Sequence, residues 1–183
     1  MIDIMHWQLL NERPAHWQLD EQTLSVQVSQ GNIWGYGNAP VNNLFLLPIE
    51  SEEIAAQVTV ELTPQRSYEQ AGVALYWDDN NYIKISKEMF NGRLSLVFVV
   101  EAAGRPSIEG ITDFNDSAVR LSITKQGSEV SVHYSPTTEQ HNAEWQTLGK
   151  TQSLAGKPQG VMLYTFGGSG RGDNTAQFSE FAY

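Results

Sequence analysis

The chain of 183 residues is acidic, with 21 aspartate and glutamate residues, 11 lysine and arginine residues and a formal net charge of −10 at pH 7. Such a surface repels phosphate backbones and anionic lipids, so we expect neither a nucleic-acid partner nor a membrane partner. The absence of cysteine excludes a disulfide framework and thiolate metal sites. No apolar run is long enough to span a bilayer, and no basic-then-apolar signal opens the sequence, so we predict a cytoplasmic protein.

Alternating polar and apolar residues recur along the chain and predict short β-strands joined by Gly, Pro and Asn turns. No stretch of ten or more residues shows a capped helical repeat. We therefore predict an all-β protein with a single β-sandwich domain over residues 1–183. In chain order the strand runs cover residues 23–28, 54–62, 72–101, 119–124, 130–134, 161–166 and 175–181, and the long loops cover residues 31–40, 102–117, 136–143 and 167–174.

Residues 72–101 predict a three-stranded antiparallel meander with one core face and one free face. The Asn-Gly pair at residues 91–92 is typical of a two-residue type I′ turn, so residues whose numbers sum to 183 face each other. Tyr82 then pairs with Glu101. A bulged turn between the first two strands places Tyr76 beside Tyr82. The three side chains form one row across the predicted free face.

The meander AGVALYWDDNNYIKISKEMFNGRLSLVFVV resembles a concanavalin A-like domain of unknown function typified by regulation-of-enolase proteins. The segments RLSITKQGSEVSVHYS and GVMLYTFGGSG are also similar to that family, and the C-terminal β-sandwich of family 43 glycoside hydrolases has the same general pattern. The resemblance implies a jelly-roll sandwich of two antiparallel sheets, with no agreed activity or catalytic residue. The positions that match the family pattern are Ala71, Gly72, Asp78, Asp79, Asn81, Tyr82, Lys84, Glu88 and Gly92.

Two acids on the free face, Glu88 and Glu101, are the candidates for glycosidase chemistry. Glycosidases place two carboxylates about 5–10 Å apart across one bond. In the predicted register these residues lie six positions apart along the strands, which is about 20 Å at roughly 3.3 Å per residue. They cannot flank one glycosidic bond, so we expect no catalytic residues and disfavour the glycoside hydrolase alternative.

The same face favours binding. Aromatic rings offer flat apolar surfaces to the C–H side of a sugar, while neighbouring polar groups take its hydroxyls. The alternatives are that these cross-strand pairs only stabilise the sheet, and that the tryptophan of the 31–40 loop plugs one end of the sandwich. We predict a carbohydrate or small polar ligand on the concave sheet, with a floor of Tyr76, Tyr82, Lys84 and Glu101, a far end at Glu88, and a rim of Trp34 and Tyr36.

The acidic residues allow two other interpretations, protein interaction and cation binding. The acidic surface also fits a regulatory or protein-interaction domain with a basic protein partner. The oxygen-rich run at residues 78–81 could recruit a cation, but turns prefer the same residue types, and the four histidines show no ligand spacing. We therefore expect no metal site and no cofactor.

Overall fold

The computed structural model describes residue 2 and residues 4–37, 39–137, 144–170 and 172–183. Within these ranges it contains 14 strands, two short 3-10 turns (Ile4–His6 and Pro14–His16) and no α-helix, and none of its helices is long and apolar enough to cross a membrane. The strands are β1 (Gln8–Leu10), β2 (Trp17–Asp20), β3 (Thr23–Gln27), β4 (Leu44–Pro48), β5 (Ile54–Glu61), β6 (Gln70–Asp78), β7 (Asn81–Phe90), β8 (Arg93–Ala102), β9 (Arg105–Asp113), β10 (Ala118–Gln126), β11 (Glu129–Pro136), β12 (Gln146–Gln152), β13 (Gly160–Phe166) and β14 (Thr175–Ala182).

The strands form two antiparallel sheets of seven strands each. Sheet A has the order β1-β4-β13-β6-β7-β8-β9, and sheet B has the order β12-β11-β10-β5-β14-β3-β2. Consecutive strands pair in hairpins in part of each sheet, while β4 and β13 come together from distant parts of the chain. The predicted all-β sandwich of two antiparallel sheets is confirmed.

The core between the sheets follows from the period-two alternation of the strands. Val58 and Val60 of β5 point inward from sheet B, and Ile83 and Ile85 of β7 point inward from sheet A; all four are fully buried. Lys87 lies on the same inner side of β7 and is also fully buried, so one ammonium group sits at the edge of this apolar layer.

The predicted register of the meander is confirmed. Asn91 and Gly92 have φ values of 49° and 76°, the left-handed pair that a type I′ turn requires. Tyr82 faces Glu101 across β7 and β8, as the sum rule predicts. Tyr76 faces Tyr82, and the register shifts just after this pair, at the predicted bulge.

One predicted loop is a strand instead. Residues 102–117 contain β9, which pairs with β8 through a two-residue turn at Ala103 and Gly104. The φ values of this pair, 50° and 69°, are again left-handed. An alanine in that conformation is not a sequence signal for a turn, and the mostly exposed β9 shows no clear apolar alternation. In the predicted loop 136–143, residues 138–143 lie outside the described residues.

The outer face of sheet A is covered, contrary to the predicted free face. The chain between β3 and β4, here called the covering segment (residues 28–37 and 39–43), crosses this face and packs Ile33 and Val41 against it. A second apolar cluster forms beneath, containing Val97, Val99 and several aromatic rings. The central strands of sheet A, β13, β6, β7 and β8, are therefore buried on both faces, which positions the site described next.

Candidate functional site

The row predicted as the open floor of the site lies under the covering segment. Tyr82 and Glu101 are both 0% exposed. The Tyr82 hydroxyl donates to Glu101 Oε2 at 2.7 Å and lies 3.3 Å from the Ile33 carbonyl oxygen, while the Gly35 amide donates to Glu101 Oε1 at 2.8 Å. Tyr82 and Glu101 are therefore not an open binding floor, because the buried tyrosine and the buried carboxylate form a hydrogen bond with each other and also anchor the backbone of the loop above them.

The covering segment is fixed by further backbone contacts. Asn32 and Ala39 exchange two backbone hydrogen bonds of 3.0 and 2.9 Å, and the Asn32 side chain accepts from the Trp34 amide at 2.7 Å. The Gly31 amide donates to the Gly168 carbonyl at 2.9 Å, which joins the segment to the loop after β13. Trp34 is thereby held at the rim with 39% of its surface exposed.

Two other predicted residues lie away from the pocket that forms here. Tyr76 is 6% exposed, and its hydroxyl donates to Asp79 Oδ1 at 2.7 Å, so it closes the β6–β7 turn. Tyr36 is 73% exposed and packs its ring over Gly104, where a Cβ atom would lie 2.7 Å from the ring. The Asp78 carboxylate accepts hydrogen bonds from the Asn81 side chain, as expected if the acidic run at residues 78–81 forms a turn.

A buried polar ladder runs along β7 on the outer face of sheet A. Lys84 Nζ donates to Gln70 Oε1 at 2.6 Å and lies 3.7 Å from Glu88 Oε2. The Ser86 hydroxyl donates to Glu88 Oε2 at 2.9 Å and lies 3.4 Å from Lys84 Nζ. Tyr164 stands beside the ladder, with its ring centre 5.5 Å from the ammonium group.

Burial shifts the pKa of the lysine and tyrosine side chains on the outer face of sheet A. Desolvation lowers the pKa of Lys84, and the nearby Glu88 and Glu101 carboxylates oppose that shift. Desolvation also raises the pKa of three tyrosines above 10.0, here called the three buried tyrosines: Tyr76, Tyr82 and Tyr164. Hydrogen bonds to carboxylates raise the pKa further for the first two.

A pocket of about 550 Å³ opens above the ladder, between the covering segment and the loop after β13. We call it the aromatic pocket, because four rings form its walls while amide, ammonium and carboxylate groups form its base. Its size and mixed lining are those of a small-molecule site. Its lining residues are Gln30, Asn32, Trp34, Gly37, Ala39, Tyr68, Gln70, Lys84, Glu88, Phe90, Asn91, Phe166, Gly168 and Ser169.

The pocket brings together Trp34, Lys84 and Glu88 from the predicted set and adds residues that the sequence analysis does not include. Gln70 and Phe166 join Glu88 in one row across β13, β6 and β7. Pairing the predicted 161–166 strand with β6 would have revealed them. Tyr68 has a φ of 69°, a conformation without a sequence signal for a non-glycine residue.

Metal binding has no support from side-chain geometry: within the described ranges, no three histidine, aspartate or glutamate residues group as a metal centre would. The two candidate acids are both engaged by protein groups. Glu88 accepts from Ser86, and Glu101 accepts from Tyr82 and the Gly35 amide. In the register they remain six positions apart.

Comparisons with solved structures show the fold. The structure "Bacteroides ovatus Xyloglucan PUL GH43B" matches with a TM-score of 0.79 and 16% identity, over 97% of this chain but 36% of that one, so this chain spans about a third of its length. A functionally unknown protein from Saccharomyces cerevisiae matches with a TM-score of 0.76 and 18% identity, over 99% of this chain and 97% of that one. The carbohydrate-binding module CBM66 from Bacillus subtilis matches with a TM-score of 0.55 and 10% identity, over 96% of this chain and 93% of that one.

The predicted likeness to the β-sandwich of family 43 glycoside hydrolases is confirmed at the level of the fold, while typification by regulation-of-enolase proteins stays a prediction. No curated protein matches the sequence. Residues 10–180 match the family described as "Protein of unknown function (DUF1349)". Because that match covers most of the chain, the protein belongs to the DUF1349 family.

Proposed function

We propose that this chain is a non-catalytic binding module that takes a carbohydrate, or a small polar ligand of similar chemistry, in the aromatic pocket. The observation that carries the proposal is the composition of that pocket: four aromatic rings surround a base of Gln70, Lys84 and Glu88. Rings suit the apolar C–H face of a sugar, and the base offers hydrogen-bond donors and acceptors for its hydroxyls. Lys84 and Glu88 balance in charge, which favours a neutral ligand.

The predicted site residues take different roles in this proposal. Trp34 would stack on the ligand, and Lys84 and Glu88 would hold its hydroxyls. Tyr82 and Glu101 would act indirectly, by holding the covering segment in place. Tyr36 and Tyr76 would belong to the surrounding scaffold.

The relatives support this assignment through their fold. One bears the name of a carbohydrate-binding module, and another is a family 43 enzyme named for xyloglucan. We assign the sandwich to the concanavalin A-like jelly rolls, with the outer face of sheet A as the concave, ligand-bearing side. We also propose that residues 1–183 form a single domain.

A matched pair of tryptophan variants tests the proposal. Trp34 and Trp145 are 39% and 40% exposed, but only Trp34 lines the aromatic pocket, while Trp145 packs over Arg120 on sheet B. Titration calorimetry would use cello- and xylo-oligosaccharides, which present glucose and xylose units as neutral sugar probes. We expect Trp34→Ala to weaken binding at least tenfold, or about 1.4 kcal/mol, and Trp145→Ala to leave it unchanged. Equal losses in both variants, or no sugar binding by the wild type, would contradict the proposal.

A further inference from the structure

A second cavity of about 740 Å³ adjoins the aromatic pocket. Gln30 and Ala39 line both spaces. The loop after β13 also borders both, with residues 168–169 at the aromatic pocket and residues 172–173 at the second cavity. The two spaces are therefore neighbouring compartments that share the covering segment and the loop after β13, and the second also extends to Arg13 and His16 and to Gln27 of β3.

The second cavity differs in chemistry from the first, because among the described residues no phenylalanine, tyrosine or tryptophan lines it, and its one ring is the His16 imidazole. Its walls carry one guanidinium, one carboxylate, one imidazole and three amide groups, from Arg13, Asp173, His16, Gln27, Gln30 and Asn42. Such groups donate to and accept from hydroxyls. Because the charges of Arg13 and Asp173 cancel, the walls favour a neutral ligand that forms hydrogen bonds over an anion. We call this space the polar cavity.

The protein holds Arg13 in place before any ligand binds. Its Nε donates to Asn42 Oδ1 at 3.1 Å, and its backbone amide donates to Asn43 Oδ1 at 2.6 Å. Asn43 is fully buried, and its backbone amide donates to the Asn11 backbone carbonyl at 3.2 Å. The terminal nitrogens of the Arg13 guanidinium make no hydrogen bond to any residue that the structure describes, so they are available to a ligand.

A ridge of hydrogen-bonded backbone, which includes the shared lining residues Gln30 and Ala39, lies between the two compartments. The reciprocal backbone bonds of Asn32 and Ala39 run along it, and the Gly31–Gly168 bond ties it to the loop after β13. Gly31 is packed so closely that a Cβ atom there would lie 2.7 Å from the Pro40 carbonyl oxygen. A ridge of this kind favours two adjacent subsites over one enlarged pocket.

We propose that the polar cavity is a second sugar subsite, so that the chain binds a neutral oligosaccharide across the ridge. One sugar stacks in the aromatic pocket, and the next places its hydroxyls against Arg13, Asn42 and Asp173. The inference rests on the proposed function, because the aromatic pocket supplies the first subsite.

Affinity as a function of chain length tests the inference. Calorimetric titration of the wild type with cello- and xylo-oligosaccharides of one to six residues should show at least a tenfold gain from one residue to six, or about 1.4 kcal/mol. Arg13→Ala should abolish that gain and leave single-sugar affinity intact, and Asp173→Asn should reduce the gain. Trp34→Ala should weaken binding at every length. Lys150→Ala removes an exposed cation from β12 and should change nothing.

The outcomes separate the two proposals. A gain that survives Arg13→Ala overturns the second subsite, as does equal affinity for one and six residues, and both results leave the aromatic pocket standing. Absence of binding at every length overturns both. Arg13 is exposed and its side chain bonds only Asn42 among the described residues, so an unchanged urea midpoint is expected to show that the variant folds.

Discussion

The two buried lysines of β7 should respond in opposite ways to replacement by methionine. Lys84 lies beside Gln70 and Glu88, whereas Lys87 Nζ makes no hydrogen bond to any described residue and sits 5.4 Å from the Phe114 ring centre. Lys84→Met leaves the Glu88 carboxylate buried without its cation, and we expect a loss of about 3–5 kcal/mol in the free energy of unfolding. Lys87→Met removes an ammonium whose burial without a hydrogen bond costs at least about 1–3 kcal/mol. Its attraction to the Phe114 ring returns about 0.5–1 kcal/mol, and its attraction to the Asp116 carboxylate offsets a further part of the cost.

The net expectation for Lys87→Met is a gain of about 1 kcal/mol, measured by urea unfolding at pH 7 with an unchanged m value. Burial lowers the pKa of both lysines below 10.5. Between the folded pKa and 10.5 the unfolded chain binds more protons, so wild-type stability should rise with pH through that window, and Lys87→Met should flatten the rise. If Lys87→Met destabilises the protein as Lys84→Met does, the inferred asymmetry between the two faces of β7 is wrong.

Three further expectations concern the covering segment and its supports. Tyr82→Phe removes a hydrogen bond to a buried carboxylate and should lower the free energy of unfolding by about 1.5–3 kcal/mol, with faster amide exchange in the covering segment. Tyr134→Phe removes an exposed hydrogen bond and should change the free energy of unfolding by no more than about 0.5 kcal/mol. Because the three buried tyrosines have a raised pKa, the stability that they contribute should be intact below about pH 10 and be lost as pH rises further. Their ionisation, followed through their own ring signals in NMR spectra, should appear only with unfolding, and an earlier ionisation would contradict this. Gly104→Ala and Gly92→Ala should each cost about 1 kcal/mol of backbone strain, but only the first should shift the ring signals of Tyr36 in NMR spectra.

The meander was predictable because its determinants are local. The Asn-Gly pair at residues 91–92 fixes the turn, and the turn fixes every pairing of β7 with β8. The same holds for β5 and β10, where alternation alone identifies the inward side. Local patterns therefore predict these strands, the register of the meander and which of its side chains share a face.

The covering of sheet A was not predictable from alternation. Ile33 and Val41 lie in irregular chain, where no period shows that they pack on a sheet. Tyr82 and Glu101 have the polarity of a solvated pair, and burial becomes favourable only when each satisfies the other and the loop backbone. The site residues Gln70 and Phe166 depend on the pairing of β6 with β13, which are about 90 residues apart in the sequence, beyond the reach of local patterns.

The covering segment makes the central strands of sheet A the middle layer of three. A chain segment in that position does not have the freedom of an ordinary surface loop, because every change to it alters the packing of Ile33 on the sheet as well as the rim at Trp34. If the proposed function holds, ligand selectivity and folding depend on the same stretch of sequence. Relatives with a different covering segment would have to compensate in the sheet beneath it, so substitutions in the two layers should evolve together.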